Sequence, residues 1–211
     1  MKRVMLGLAL LAIVLPIAAR ADGINLTNQA GTVTILASGI SSYGSQLRSF
    51  NGVVAPKGHA LGTVSYATGA LLTGDVWNGG TFSSTGSIFD VVGQGDWMKT
   101  LTGLSGEKGK VPLFTGEFVG TIQWNLVNSN KQFHEYQLIG DIQGTLWTGR
   151  VVTGNTTQTI YTYWNQERID NKGSVHLGQI HLNTPEPNTL GLLGGGLLAM
   201  AAMFRRVLPK A

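Results

Sequence analysis

The chain has no cysteine among its 211 residues. Disulfide frameworks, thiolate metal sites and cysteine nucleophiles are therefore excluded. It is also poor in charge, with 12% Asp, Glu, Lys and Arg. Blocks of Leu, Glu, Lys and Ala at helical spacing are missing, and no segment sustains a 3.6-residue apolar period with caps. No Gly-x-Ser-x-Gly elbow is present to set up a serine nucleophile. The formal charge of +4 at first suggests an acidic partner. However, three of the 15 basic residues lie in the first 21 positions and three in the last 27. Residues 22–184 carry nine basic and ten acidic side chains, a formal charge of −1. The bases are scattered rather than clustered, so nucleic acid is not an expected partner.

The two ends read as addresses. Lys2 and Arg3 precede an apolar run from Val4 to Ala18, and Ala19-Arg20-Ala21 puts small residues where signal peptidase cuts. The expectation is a signal peptide over 1–21, a partly apolar helix, cleaved before Asp22. Fifteen apolar residues fall short of the ~20 that span a bilayer. At the other end, Pro185-Glu186-Pro187 precedes an uncharged run from Leu190 to Phe204, and Arg205, Arg206 and Lys210 follow. As a helix, that run would reach about 22 Å at ~1.5 Å per residue, short of a ~30 Å hydrocarbon core. Its four glycines also weaken it as a helix. It suits a transient transmembrane helix, with the basic cluster held on the cytoplasmic side.

The segment Thr184-Pro185-Glu186-Pro187-Asn188-Thr189-Leu190-Gly191-Leu192-Leu193-Gly194, ending in Arg205-Arg206, resembles a PEP-CTERM sorting signal. The resemblance covers Thr184 to the end. It implies recognition by an exosortase, a membrane cysteine protease-transpeptidase of Gram-negative bacteria that make extracellular polysaccharide. The sorting residues it singles out are Pro185, Glu186, Pro187, Arg205 and Arg206. It implies tethering at the inner membrane, then delivery to the cell surface or medium. It is silent on the chemistry of residues 22–184.

That central body is rich in Gly, Thr, Ser, Val and aromatics, which favours strands and turns. Strands are expected over Gly31–Ser38, Tyr43–Phe50, Leu61–Thr68, Ile88–Val92, Thr153–Trp164 and Val175–Leu182. A turn is expected around Pro56 and Gly58, a loop or short strand over Gly69–Gly80, and mostly loop over Gly93–Lys110. The most sharply defined piece is a hairpin. Phe114, Phe118, Ile122, Trp124 and then Tyr136, Leu138, Ile142, Leu146 share one parity, and polar residues fill the other. Pairing with residue numbers summing to about 260 buries the even set, opposes Trp124 to Tyr136, and puts Gly120 opposite Gly140. Those glycines suggest a tight bend or a closely approaching second sheet. The fold class is all-β, an antiparallel sandwich or barrel-like body.

The odd face of the hairpin carries Glu117, Gln123, Glu135, Gln137, Asp141, Gln143 and Trp147. Glu117 with Glu135 or Asp141 could reach the 5–9.5 Å separation of a glycosidase pair. The plainer reading is a solvated sheet face. Trp147 with Gln143 and Asp141 could instead bind a glycan, the ring stacking on sugar and the polar groups bonding hydroxyls. Trp77 and Trp164 are further stacking candidates, whereas Trp124 belongs to the core. His59, His134, His176 and His181 are dispersed, and parity puts His176 and His181 on opposite faces. Asp75, Asp90 and Asp96 lack the dense spacing of a calcium loop. No metal site, cofactor or catalytic constellation is expected. The body is read as a non-catalytic structural or adhesive module among extracellular polysaccharides. A carbohydrate-binding module and a secreted glycan hydrolase are the alternatives.

Overall fold

A computed structural model describes residues 23–98, 109–165, 168–169 and 171–183. The described chain is almost entirely antiparallel sheet. Its strands are β1 (Gly23–Leu36), β2 (Gly39–Phe50), β3 (Val53–Val54), β4 (Gly62–Ala67), β5 (Leu71–Asp75), β6 (Gly79–Ser83), β7 (Ile88–Gln94), β8 (Lys110–Ser129), β9 (Phe133–Leu146), β10 (Val151–Asn165), β11 (Arg168–Ile169) and β12 (Lys172–Asn183). Each expected strand is present, most of them longer than periodicity alone suggested. The Gly69–Gly80 region supplies β5 and the start of β6.

Eight strands pair in chain order: β1, β2, β4, β7, β8, β9, β10 and β12. β12 then pairs with β1, from Gly23↔Asn183 to Thr34↔Lys172, and closes the ring. The body is therefore an eight-stranded up-and-down barrel, and the sandwich alternative falls away. An eight-strand ring leaves an interior just wide enough to be filled by side chains. β5 and β6 form an inserted hairpin, and β6 pairs with the far half of β8.

Alternation inside the ring follows the pleat. Val33, Ile35, Ile40, Leu47, Val64, Val91, Leu138, Ile160 and Leu182 point inward and are fully buried. Phe89 meets Phe118 edge-on at 5.5 Å and stacks on Tyr66 at 5.8 Å. At the end where β1 begins and β12 finishes, Phe50 packs against Trp147 and Trp97 at 5.6 and 5.8 Å. Away from that end, Trp124 and Tyr136 stack face to face at 4.5 Å. The inserted hairpin docks on this pair: Trp124 Nε1 donates to the Val76 carbonyl and the Tyr136 hydroxyl to the Trp77 carbonyl, both at 2.9 Å.

The β8–β9 hairpin keeps the expected register only at its base. Glu117↔Gln143 and Phe118↔Ile142 pair as anticipated. A bulge after Val119 then shifts the pairing by two, so Trp124 opposes Leu138 and Leu126 opposes Tyr136. Gly120 makes the bulge, at φ +71, a conformation open to glycine and costly for other residues. A shift of two preserves parity, which keeps Ile122 and Trp124 inside. Gly140 does not mark a second sheet. It makes room for the Phe118 ring, whose Cδ1 would lie 2.8 Å from an added Cβ.

One interior level is polar. Asn28 on β1, Gly178 on β12 and Gln158 on β10 are in direct register. The two amides reach each other over the glycine. Asn28 Nδ2 donates to Gln158 Oε1 at 3.0 Å, and Gln158 Nε2 to Asn28 Oδ1 at 3.3 Å. Asn28 Nδ2 also donates to Ser45 Oγ, and Gln158 Nε2 to Thr156 Oγ1. Those hydroxyls pass on to the carbonyls of Gln29 and Gln179. All four side chains are fully buried. A fully bonded network of this kind is tolerated in a core, whereas an incomplete one is costly.

Candidate functional site

The residues of the two addresses, Ala19, Ala21 and Asp22 at one end and Pro185, Glu186, Pro187, Arg205 and Arg206 at the other, lie outside the described residues. So does the apolar run 190–204. No described helix is long and apolar enough to cross a membrane.

The candidates within the body separate. Gln143 and Asp141 project outward from β9 and are exposed. Gln143 Nε2 donates to Glu117 Oε1 at 3.2 Å across the β8–β9 ladder. Asp141 opposes Val119, two residues further along, and Glu135 lies near the turn, opposite Asn128. Trp147 does not join them. β9 ends at Leu146, and the chain then turns, with the Trp147 amide donating to the Leu113 carbonyl at 3.1 Å. The ring goes edge-on to Phe50 and is half-buried. Parity counted past the end of a strand placed Trp147 on the outer face, whereas packing draws it to the barrel end.

The other tryptophans with described side chains are at least half-buried. Trp124 is core, as expected. Trp77 is half-buried in the inserted hairpin. Trp97, which the sequence did not single out, donates Nε1 to the carbonyls of Leu61 and Gln94. The Trp164 side chain lies outside the described residues. The most exposed aromatic among the described residues is Tyr43, at 82%.

His134 is buried on the inner face, where parity put it. His176 and His181 correct a second parity reading. His176 is an extra residue in β12, between Val175, which pairs with Ile160, and Leu177, which pairs with Thr159. The bulge lets both histidines face outward. His176 stacks on Tyr161 at 4.4 Å, and Tyr161 leans on Phe133 at 4.9 Å.

What the sequence did not anticipate is a polar row across strands. Asn25 on β1, His181 on β12, Asn155 on β10 and Asp141 on β9 are register partners in succession. The next row outward is Thr27, Gln179 and Thr157. His181 Nδ1 hydrogen-bonds Asn25 Oδ1. Its ring lies over Gly23, where an added Cβ would come within 3.1 Å of Cε1. A shallow groove of about 330 Å³ runs over these two rows. A second, of about 470 Å³, lies beyond Gln143 and Glu117 and reaches Ser87 and Val151. Asn25 and Asn155 are 130 positions apart in the chain, so only barrel closure through β12 brings them together.

Titration is shifted at three described groups. Burial pushes the Tyr66 phenol far up. Burial, then the nearby negative charge of Asp75, pushes Tyr136 up to about 12. Asp75 is lowered by the Asn78 side chain and by the Asn78 and Trp77 amides, which all donate to its carboxylate. Each shift moves its group further from neutral pH, and the donors that lower Asp75 hold the turn after β5. Among the described residues, no group of three or more His, Asp or Glu side chains is placed to hold a metal ion.

The barrel thus belongs to the class of closed antiparallel barrels, with buried side chains lining its interior and the polar rows on its outer surface. Residues 183–206 match the PEP-CTERM protein-sorting motif. The chain therefore carries the signal of an exported protein that is processed by an exosortase, with a membrane-associated stage before the surface. No curated protein and no solved structure matches the chain.

Proposed function

We propose that this is a cell-surface or extracellular-matrix protein whose barrel is a non-catalytic structural or adhesive module. Residues 1–21 direct export, and signal peptidase releases Asp22. The C-terminal apolar helix holds the chain at the inner membrane until exosortase acts on Pro185-Glu186-Pro187. The observation that carries the reading is the sorting motif joined directly to the barrel, since the match begins at Asn183, the last residue of β12. The burial of the described inward-facing side chains supports it, because their polar and charged counterparts on the outer face are the ones a partner can reach.

The test is the intact mass of the protein from surface, medium and membrane fractions. The expected species begins at Asp22 and ends near Thr184, with or without an added group. Glu186→Ala should leave full-length tail in the membrane fraction. Normal processing of that variant would remove exosortase recognition from the account. A deletion strain with unchanged matrix attachment would remove the adhesive role.

A further inference from the structure

We propose that the outer face of β1, β12 and β10 binds an uncharged polysaccharide chain lying across the strands, along the Asn25–His181–Asn155 row. The proposal deepens the surface-matrix reading and rests on it.

The chemistry of the groove selects the ligand class. Among the described residues, six polar side chains line it: Asn25, Thr27, Asn155, Thr157, Gln179 and His181. All are amides, hydroxyls or imidazole, groups that both donate to and accept from sugar hydroxyls. The other two lining residues, Leu26 and Ile180, are buried. Among the described residues no apolar side chain is therefore exposed in the groove, and protein interfaces are built around such anchors. Among the described residues no Lys or Arg lines it either, so the described wall lacks the cationic contacts that an acidic glycan, a phosphate or a nucleic acid requires. A neutral polyhydroxyl ligand is the class left.

The geometry argues for a polymer. Register places the polar groups one strand apart, about 4.8 Å, close to the length of one pyranose residue. The row continues through Asp141 on β9. Beside it the Glu117–Gln143 pair leads into the second groove. A linear chain could meet a hydrogen-bonding group at each strand it crosses. The row is also partly preorganised. The Asn25 contact and the glycine beneath the ring fix His181, leaving Nε2 free of that bond. Fixing groups in advance lowers the ordering cost of binding.

The experiment uses the full chain in mild detergent, run through native gels containing dextran, hydroxyethylcellulose or alginate. At least one neutral polymer should retard the wild type, while alginate should not. Asn155→Ala with Gln179→Ala should weaken the retardation at least tenfold. Val127→Ser, an exposed change on β8, should leave it intact. Retardation by alginate alone, by no polymer, or equally for the double variant would overturn the proposal. Matrix attachment measured on the same double variant separates the two readings. Attachment that survives with the row removed sinks this site and leaves the matrix role standing. Attachment absent in the wild type sinks the matrix role itself.

Discussion

Replacing Gly178 with alanine tests whether the buried amide pair sets the spacing of the seam between β1, β12 and β10. An added Cβ would lie 2.0 Å from Asn28 Oδ1 and 2.3 Å from Gln158 Oε1. Flexible side-chain ends usually move aside at little cost. These two are fully buried and each is bonded to the other, so neither has an open direction. Relief therefore means parting the amides. A buried polar group left without its partner costs about 1–3 kcal/mol, and overpacking a core costs a similar amount. The alanine regains about 0.4–1 kcal/mol by restricting the unfolded chain. The expected net loss is about 2–4 kcal/mol.

For a domain of this size that corresponds to a fall in Tm of roughly 4–16 °C. Urea unfolding followed by tryptophan fluorescence reads it directly. Trp124, buried against Tyr136, reports on the core. A loss below about 0.5 kcal/mol would show that the amides have slack and refute the argument. The second arm is Asn28→Ala combined with Gly178→Ala. Truncating Asn28 makes room for the methyl, so the double variant should be more stable than the sum of the single losses by about 1–3 kcal/mol. Strict additivity would mean that the two residues do not compete for the same space.

Two further expectations concern the inserted hairpin. The folded pKa of Asp75 is depressed, so its stabilisation is present above the unfolded carboxylate value and lost as pH falls through the folded one. Amide exchange at Trp77 and Asn78 should accelerate in that acid window. Asp75→Asn, which keeps an acceptor oxygen but cannot titrate there, should remove the acid dependence; the same acceleration in the variant would refute the assignment. Tyr136 has its folded pKa raised from 10.0 to about 12, so its contribution is complete below pH 10 and lost as pH rises toward 12. Tyr136→Phe should cost about 1 kcal/mol at neutral pH through the lost bond to the Trp77 carbonyl, and should flatten the alkaline fall in stability. An unchanged alkaline profile would place that titration elsewhere.

Strand positions and the inner face of the hairpin were legible because period-2 burial is a local signal. Phe118, Ile122, Trp124, Leu138 and Ile142 all point where parity put them. The misplaced residues fell at irregularities that parity cannot see. Trp147 follows a strand end, and His176 is an extra residue in a ladder. The two-residue shift at Gly120 changed partners without changing faces, so the Trp124 assignment survived a wrong pairing. The polar rows were illegible for a different reason. Asn25 and His181 become neighbours only through closure of β1 on β12, a long-range pairing with no mark in the local sequence. The same holds for Asn28 and Gln158, which local pattern gives no reason to unite.

That closure also orders events along the chain. β12 is bonded on one side to β1 and on the other to β10, and its last residue pairs with the first residue of β1. The ring is therefore fully paired only when the chain is available through Asn183, and pairing of this sequence separation carries a large loop-closure cost before it is rewarded. The sorting motif begins at that same residue. A cut anywhere beyond Asn183 leaves both ladders of β12 whole. A cut even a few residues earlier removes pairs from two seams at once. The position of the motif thus lets the tail be discarded without opening the barrel, and it leaves the polar rows, which exist only in the closed ring, intact after processing.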